Sequence, residues 1–142
     1  MRGVPFAILV ASTLLTQSAL AECDCAAVSL KESFKCHDAV FVGRIVSGDV
    51  FPVSAEVAVL EVFKGRLPAT IEVSANFGCH VTLAEGGTYL FEVFKGEDGG
   101  LQTSQCSFTR PLEEPGVNEQ LRVIRRRAWW WRSFLSGWCR YR

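Results

Sequence analysis

The chain has 142 residues, a length that suits one domain, and its fifteen basic side chains balance its fifteen acidic ones. Apolar residues make up 49% and charged residues 21% of the chain, which is typical of a globular protein and excludes a disordered or collagen-like one. The balance hides an asymmetry, because residues 22–120 carry fifteen acids and seven bases, whereas residues 121–142 carry seven arginines and no acid.

The first 21 residues have the three parts of a secretory signal peptide. Met1-Arg2 supplies a positive charge, residues 4–15 are mostly apolar, and Ala19-Leu20-Ala21 matches the small-residue pattern that signal peptidase cuts. We therefore expect residues 1–21 to be removed and residues 22–142 to form one exported domain, secreted or, in a bacterium, periplasmic. Its cysteines then mature under oxidising conditions.

The next part of the chain predicts a small barrel or sandwich of five strands. One or two helical turns are expected within residues 28–36. Apolar runs then predict strands at residues 39–46, 53–63, 70–74, 89–94 and 101–108, separated by turns rich in glycine. Gly43 is expected to mark a bend in the first strand, and the glycines of residues 96–100 predict a hairpin before the fifth.

A C-terminal helix is predicted from apolar residues spaced three and four apart, namely Leu121, Ile124, Ala128, Trp131, Leu135 and Trp138. Asn118 is the expected N-cap of this helix, and Gly137 its expected end. The favoured interpretation packs the apolar stripe on the barrel and leaves four arginines in solvent or facing the acidic body: Arg122, Arg125, Arg126 and Arg132. The alternative interpretation places this Arg- and Trp-rich helix at a membrane surface.

The six cysteines predict disulfides, because their number is even and the chain is exported. Six cysteines allow fifteen pairings, and their spacing alone does not choose among them. Structural zinc is disfavoured, since Cys23-x-Cys25 is the one close pair and no matching second pair follows.

No catalytic pattern stands out in the sequence. His37 and His80 are the two histidines, each beside a cysteine, which leaves little for a Ser-His-Asp or Cys-His site. No glycine motif typical of phosphate binding is present. A small barrel that binds nucleic acid has a basic groove, whereas this body is acidic. We therefore expect a protein that is not an enzyme, needs no cofactor and binds no nucleic acid.

The cysteines and the segments around them resemble the inhibitory N-terminal domain of the tissue inhibitors of metalloproteinases. The likeness covers nearly all of residues 22–142, with six cysteines in register. The matching motifs are Cys23-Asp24-Cys25, Phe34-Lys35-Cys36-His37-Asp38 before the first strand, Val62-Phe63-Lys64-Gly65 at a strand end, Cys79, Gly99-Gly100-Leu101 before Cys106-Ser107-Phe108, and Gly137 shortly before Cys139.

The resemblance implies a mainly β fold, a five-stranded OB-fold barrel of the netrin type with a C-terminal helix. It also implies three disulfides, which are Cys23–Cys79, Cys25–Cys106 and Cys36–Cys139. The first two of these would pin the N-terminal strip, residues 23–25, to the barrel. A strip fixed in this way is preorganised, so that little ordering entropy opposes its binding to a partner.

The resemblance further implies a monomeric, secreted inhibitor whose partner is a zinc metalloprotease. In that family the amine and carbonyl of the first cysteine bind the protease zinc and displace its water. In this chain Cys23 would be the zinc ligand, and the zinc ion that it binds would be that of the protease. Asp24 would enter the specificity pocket and Cys25 would anchor the strip, with Gly78 and Cys79 flanking it.

The alternative function is that of a secreted binding or structural module with the same fold that inhibits no protease. Such a module would act on a protein or envelope partner through its barrel surface or its Arg- and Trp-rich helix. A free amine on Cys23 favours the inhibitor, because a backbone amide there is a poor zinc ligand. A retained Glu22 favours the module.

Overall fold

The computed structural model describes Cys23, Cys25, Cys139 and three continuous ranges, residues 27–49, 54–75 and 81–134. The predicted signal peptide, residues 1–21, lies outside them. The elements in chain order are α1 (Leu30–Cys36), β1 (Ala39–Asp49), β2 (Ser54–Lys64), β3 (Thr70–Ala75), β4 (Thr88–Lys95), β5 (Leu101–Thr103), β6 (Arg110–Pro111) and α2 (Val117–Phe134). Neither α1 nor α2, the helices of these ranges, is both long and apolar enough to cross a membrane.

Five of the strands close into a barrel in the order β1-β2-β3-β5-β4, with β4 pairing again with β1. Neighbouring strands are antiparallel except β3 and β5, which run parallel. The predicted five-stranded barrel is therefore confirmed. At Gly43, where the sequence predicts a bend, the register of β1 on β2 shifts between Val42 and Gly43. A Cβ atom at Gly43 would overlap the side chain of Val57, so glycine allows the strands to approach closely there.

The fifth strand is shorter than the sequence predicts. It ends at Thr103 instead of residue 108, because the chain turns and the Ser107 N–H donates to the Ser104 carbonyl oxygen at 3.1 Å. The chain then adds β6, which pairs with β4. A proline is tolerated at Pro111 because β6 lies at the edge of the sheet, where a missing N–H breaks no ladder.

Apolar side chains form two cores, one inside the barrel and one between the barrel and the helices. Phe41 and Phe91 stack in the barrel interior with their ring centroids 4.9 Å apart. The outer core joins Phe34 of α1 to Trp131 of α2, whose rings meet edge to face at 5.1 Å. Both cores use β1 and β4, since successive residues of a strand point alternately into the barrel and out toward the helices.

Helix α1 begins with a capping box. The Ser29 hydroxyl accepts a hydrogen bond from the Glu32 N–H at 3.2 Å, and the Glu32 carboxylate accepts one from the Ser29 N–H at 3.1 Å. Two amide groups that a helix start leaves without partners are satisfied in this way. The helix that the sequence predicts only as one or two turns is therefore a defined element directly before β1.

Helix α2 packs its apolar stripe on the barrel as the favoured interpretation expects. The buried members of the stripe are Leu121, Ile124, Ala128 and Trp131. Leu135, Gly137 and Trp138 lie outside the described residues. The predicted N-cap is wrong, since the helix begins at Val117 and Asn118 lies within its first turn. The Gly116 carbonyl oxygen accepts from the N–H groups of Glu119 and Gln120, so the helical hydrogen bonds start two residues before Asn118.

An arginine on the side of α2 ties the helix to the acidic body. Arg125 donates to the Glu61 carboxylate of β2, with Nη2 at 2.6 Å and Nε at 3.2 Å. Nearer the start of the helix, Arg122 pairs with Glu119. Both pairs are exposed, and such pairs typically stabilise a fold by about 0–1 kcal/mol each. The apolar stripe, more than these charges, therefore holds α2 in place.

Two disulfides join distant parts of the described chain. Cys25 is bonded to Cys106 across 81 residues and Cys36 to Cys139 across 103 residues. Both pairs agree with the pairing that the resemblance implies. The third implied pair includes Cys79, which lies outside the described residues, while Cys23 is itself disulfide-bonded. These bonds are compatible with an extracellular protein.

Candidate functional site

The N-terminal strip is the site that the sequence predicts, and the structure describes part of it. Cys25 is exposed and lies against Cys106, with their Cα atoms 5.1 Å apart. Cys23 is partly buried and is disulfide-bonded. Asp24, Gly78 and Cys79 lie outside the described residues. The structure does show how the body of the protein supports the Cys25–Cys106 disulfide.

That bridge ends on the Cys106 loop, residues 104–109, which connects β5 to β6. The loop is closed on itself by the Ser107 hydroxyl, which donates to the Ser104 carbonyl oxygen at 2.7 Å. The guanidinium group of Arg110 donates to the carbonyl oxygens of Thr109 at 2.8 Å and Ser107 at 3.1 Å. These hydrogen bonds give the short loop a defined shape around Cys106.

Three buried hydroxyl groups attach the Cys106 loop to β4. Thr103 Oγ1 lies 2.9 Å from Ser107 Oγ and 2.7 Å from Thr109 Oγ1. The Thr109 hydroxyl accepts from the Glu92 backbone N–H at 2.9 Å, and both threonine hydroxyls lie 3.2 Å from the Glu92 carbonyl oxygen. Buried polar groups that are hydrogen-bonded in a network hold a unique arrangement. The loop is therefore fixed to the strand at Glu92.

The side chain of Glu92 extends this contact to α1. The carboxyl group is fully buried, and its Oε2 accepts hydrogen bonds from the Ser33 hydroxyl and from the Phe108 N–H at 3.3 Å. His37 Nδ1 lies 3.3 Å from the same oxygen and 2.8 Å from the Ser33 carbonyl oxygen. Among the described residues, Glu92 Oε1 has no hydrogen-bond partner. One carboxyl group thus joins α1, β4 and the Cys106 loop.

Burial raises the pKa of the Glu92 carboxyl above its ordinary value of 4.5, because the ionised form loses its hydration. The charge of His37 when it is protonated, the hydrogen bonds from Ser33 and Phe108, and the Lys64 ammonium all lower this pKa and only partly offset the burial. The carboxyl therefore holds its proton to a higher pH than it does in the unfolded chain.

Lys64, at the end of β2, holds the C-terminal end of α1 in place. Its ammonium group donates to the carbonyl oxygens of Phe34 and Lys35, both at 2.8 Å, and to that of His37. These carbonyls belong to the last turn of the helix and to its C-cap residue, His37, where no intrahelical N–H remains to pair with them. The same ammonium lies 5.6 Å from the centre of the Phe34 ring. Lys64 therefore supports the helix that carries Ser33 and Cys36, together with its C-cap residue His37.

Replacing Lys64 with methionine should lower the free energy of unfolding by about 2 kcal/mol, because the end of α1 loses a charged hydrogen-bond donor. Urea unfolding followed by circular dichroism measures this change. Lys95→Met, the same substitution at an exposed position of β4, is the matched control and should change the value by less than about 0.5 kcal/mol. Equal losses in the two variants would show that the contact with the three carbonyls does not stabilise the fold.

Two concave surfaces lie beside the bridges. One, of about 330 Å³, lies between α1 and the Cys106 loop and is lined by residues that include Ser33, Cys36, His37, Ser104, Ser107 and Cys139. The other, also of about 330 Å³, follows the Cys25–Cys106 bridge and is lined by residues that include Ala27, Val28, Gln105 and Arg110. Within the described ranges, no group of three or more His, Cys, Asp or Glu side chains is placed to hold a metal ion.

The cluster of Ser33, His37 and Glu92 does not have the geometry of a Ser-His-acid catalytic site. In such a site the histidine contacts the serine with one ring nitrogen and the acid with the other. Here Ser33 Oγ and Glu92 Oε2 both lie 3.3 Å from the same nitrogen, Nδ1, and Ser33 is buried.

The sequence does not single out Glu92 or Ser33. A lone acid within the apolar run of residues 89–94 is the signal that could have marked Glu92.

Comparisons of the chain with models of known protein families and with curated proteins find no match. A functional interpretation therefore depends on the fold, the disulfides and the motifs of this chain. The structure brings together Cys25 and Cys106 and connects them through buried hydrogen bonds to Glu92 and α1.

Proposed function

We propose that the protein is a secreted inhibitor of zinc metalloproteases, built on an OB-fold barrel of the netrin type and acting through residues 23–25. The observation that carries this proposal is the pairing of Cys25 with Cys106 and of Cys36 with Cys139. Both pairs belong to the one arrangement, out of fifteen, that the resemblance to the tissue inhibitors of metalloproteinases implies. The closed barrel with its parallel β3–β5 pair gives the proposal further support.

The proposed mechanism uses the backbone of Cys23 as the zinc ligand. A neutral α-amine and a carbonyl oxygen are suitable donors to a catalytic zinc, which keeps one coordination position open for water or substrate. The Cys25–Cys106 bridge holds the strip in place before the protease arrives, and the hydrogen bonds of the Cys106 loop hold the bridge. Binding then loses little entropy in ordering the strip.

Asp24 sets the class of protease in this mechanism. Its carboxylate would enter the pocket beside the zinc, and a buried carboxylate is strongly unfavourable without a partner. The matching protease therefore has a cation or several hydrogen-bond donors in that pocket. Proteases with a purely apolar pocket should be inhibited poorly by this chain and better by an Asp24→Thr variant.

The test compares two forms of the mature protein that differ by one residue, one beginning at Cys23 and one at Glu22. The Cys23 form should inhibit a zinc metalloprotease with a basic pocket at least about 100-fold more strongly, because the Glu22 form has a peptide bond where the ligand amine is required. Inhibition constants measured with a fluorogenic peptide substrate provide the comparison, and chemical acetylation of the Cys23 amine should remove the difference.

Thermal unfolding of both forms serves as the control, since the fold does not depend on the amine. Equal inhibition by the two forms, or inhibition that survives acetylation, would contradict zinc binding through Cys23. Absence of inhibition by the Cys23 form across metalloproteases with basic and apolar pockets would overturn the proposed function and leave a binding module of the same fold.

A further inference from the structure

The outer face of α2, defined by Arg122, Arg126, Trp129 and Trp130, is exposed. Trp129 is 68% and Trp130 58% accessible, whereas the next residue, Trp131, is buried in the outer core at 5%. Arg122 and Arg126 are four residues apart, and Arg126 precedes the two tryptophans by three and four residues. Residues at these spacings lie on one side of a helix. Two large aromatic side chains and two guanidinium groups therefore share a surface turned away from the barrel.

This surface carries a strong excess of positive charge. Helix α2 contains five arginines and one acid, Glu119. Arg125 is directed to Glu61 and Arg122 to Glu119. Among the described residues, Arg126 and Arg127 form no ion pair with a carboxylate. The excess contrasts with the acidic body of the protein, so a partner with negative charge will be attracted to α2 and repelled by the barrel.

We propose that the outer face of α2 docks on an anionic lipid surface. Indole side chains are favoured at the boundary between water and hydrocarbon, where the ring is buried and the N–H stays hydrated. Guanidinium groups bind phosphate with paired hydrogen bonds, and each basic residue close to an anionic membrane adds to the attraction. A bilayer surface offers both environments in one layer of headgroups.

The shape of the face favours a lipid surface over a protein pocket. Trp129 and Trp130 are consecutive, so their side chains diverge by about 100° around the helix axis, with Arg126 between them. A folded protein would need two separate pockets to bury such divergent rings. A fluid layer of headgroups adapts to both rings at once and brings phosphates to Arg126. The apolar stripe remains packed on the barrel, so docking needs no unfolding of α2.

Binding of the intact, oxidised chain to lipid vesicles tests the proposal. The protein should co-sediment with vesicles of phosphatidylcholine and phosphatidylglycerol, with a shift of tryptophan emission to shorter wavelength, and bind pure phosphatidylcholine weakly. High salt should release it, because screening weakens attraction between exposed charges. R122Q/R126Q should reduce the partition coefficient about 30-fold, on the basis of about fivefold for each basic residue. W129A/W130A should remove the emission shift.

Matched variants on the barrel separate this face from general effects of charge and hydrophobicity. R44Q/R66Q removes the same charge from exposed positions of the barrel, and L60A/V62A removes exposed apolar side chains from β2. Both should bind vesicles like the parent protein. Equal losses in R44Q/R66Q and R122Q/R126Q, or equal binding to neutral and anionic vesicles, would overturn the proposal. Binding to an acidic polypeptide such as polyglutamate, but not to vesicles, would also overturn it and indicate a protein partner.

Discussion

Replacing Cys36 and Cys139 together with alanine should lower the free energy of unfolding by about 4 kcal/mol. The bond closes a loop of 103 residues, and the chain-entropy account gives about 4–5 kcal/mol for a loop of that length. The bridge also joins the end of α1 to the chain beyond α2, and these two helices are in contact through Phe34 and Trp131. Chemical unfolding under non-reducing conditions, compared with the parent protein, measures the change.

The double variant Cys25→Ala, Cys106→Ala is the matched comparison, because its loop of 81 residues gives nearly the same entropy. This variant should show a similar decrease in the free energy of unfolding, but a different part of the chain should become more mobile. Hydrogen exchange should increase around α1 and α2 in the first variant and around the Cys106 loop in the second. Under the proposed function, the second variant alone should lose inhibition at temperatures where both remain folded. A loss below about 1 kcal/mol in both variants would contradict the view that the bridges stabilise this fold.

The parts of the fold that follow from local periodicity could be predicted from the sequence. Strand β2 alternates buried and exposed residues in its first half, and the apolar stripe of α2 recurs at three and four residues, so each pattern identifies its element. The register shift of β1 beside Gly43 lies at the one glycine of the strand predicted over residues 39–46. These features depend on residues that are neighbours in the sequence, so the local order of apolar and polar side chains is enough to predict them.

The end of β5 and the role of Glu92 could not be predicted in the same way. Residues 101–108 are compatible with an extended strand, and the turn at Ser107 forms because hydroxyl groups there meet β4 in three dimensions. Glu92 reaches Ser33 because β1 and β4 pair with Val40 opposite Glu92, which directs the carboxyl toward α1. Contacts that depend on the register of distant strands have no local signature.

Replacing Glu92 with glutamine should make the stability of the protein less dependent on pH. The folded chain binds the Glu92 proton more tightly than the unfolded chain, since burial raises the pKa above 4.5. The protonated Glu92 carboxyl therefore contributes fully to stability below about pH 4.5, and this contribution is lost as the pH rises through the raised pKa of the folded chain. The loss follows a slope of up to about 1.4 kcal/mol per pH unit. The glutamine variant has no proton to release at this position. Its free energy of unfolding should therefore increase relative to that of the parent protein as the pH rises.

Urea unfolding of the parent protein and the Glu92→Gln variant across the range from acid to neutral pH provides the measurement. Contributions of the titrating groups that do not contact Glu92 largely cancel in the difference between the two proteins. Glu85→Gln, at an exposed position, measures the effect of losing one surface carboxyl. A stability difference between the parent and Glu92→Gln that stays constant with pH would contradict a raised Glu92 pKa.

A second variant, Glu92→Ala, separates the charge of this group from its hydrogen bonds. The amide of glutamine can still accept from Ser33 and Phe108, whereas alanine leaves both donors without a partner and opens a cavity. Glu92→Ala should therefore lower the free energy of unfolding by about 3 kcal/mol even at low pH, where the parent carboxyl is neutral. If Ala and Gln gave the same stability at low pH, the hydrogen bonds would contribute nothing. The Cys106 loop would then be held by its hydroxyl groups and its disulfide without help from the Glu92 side chain.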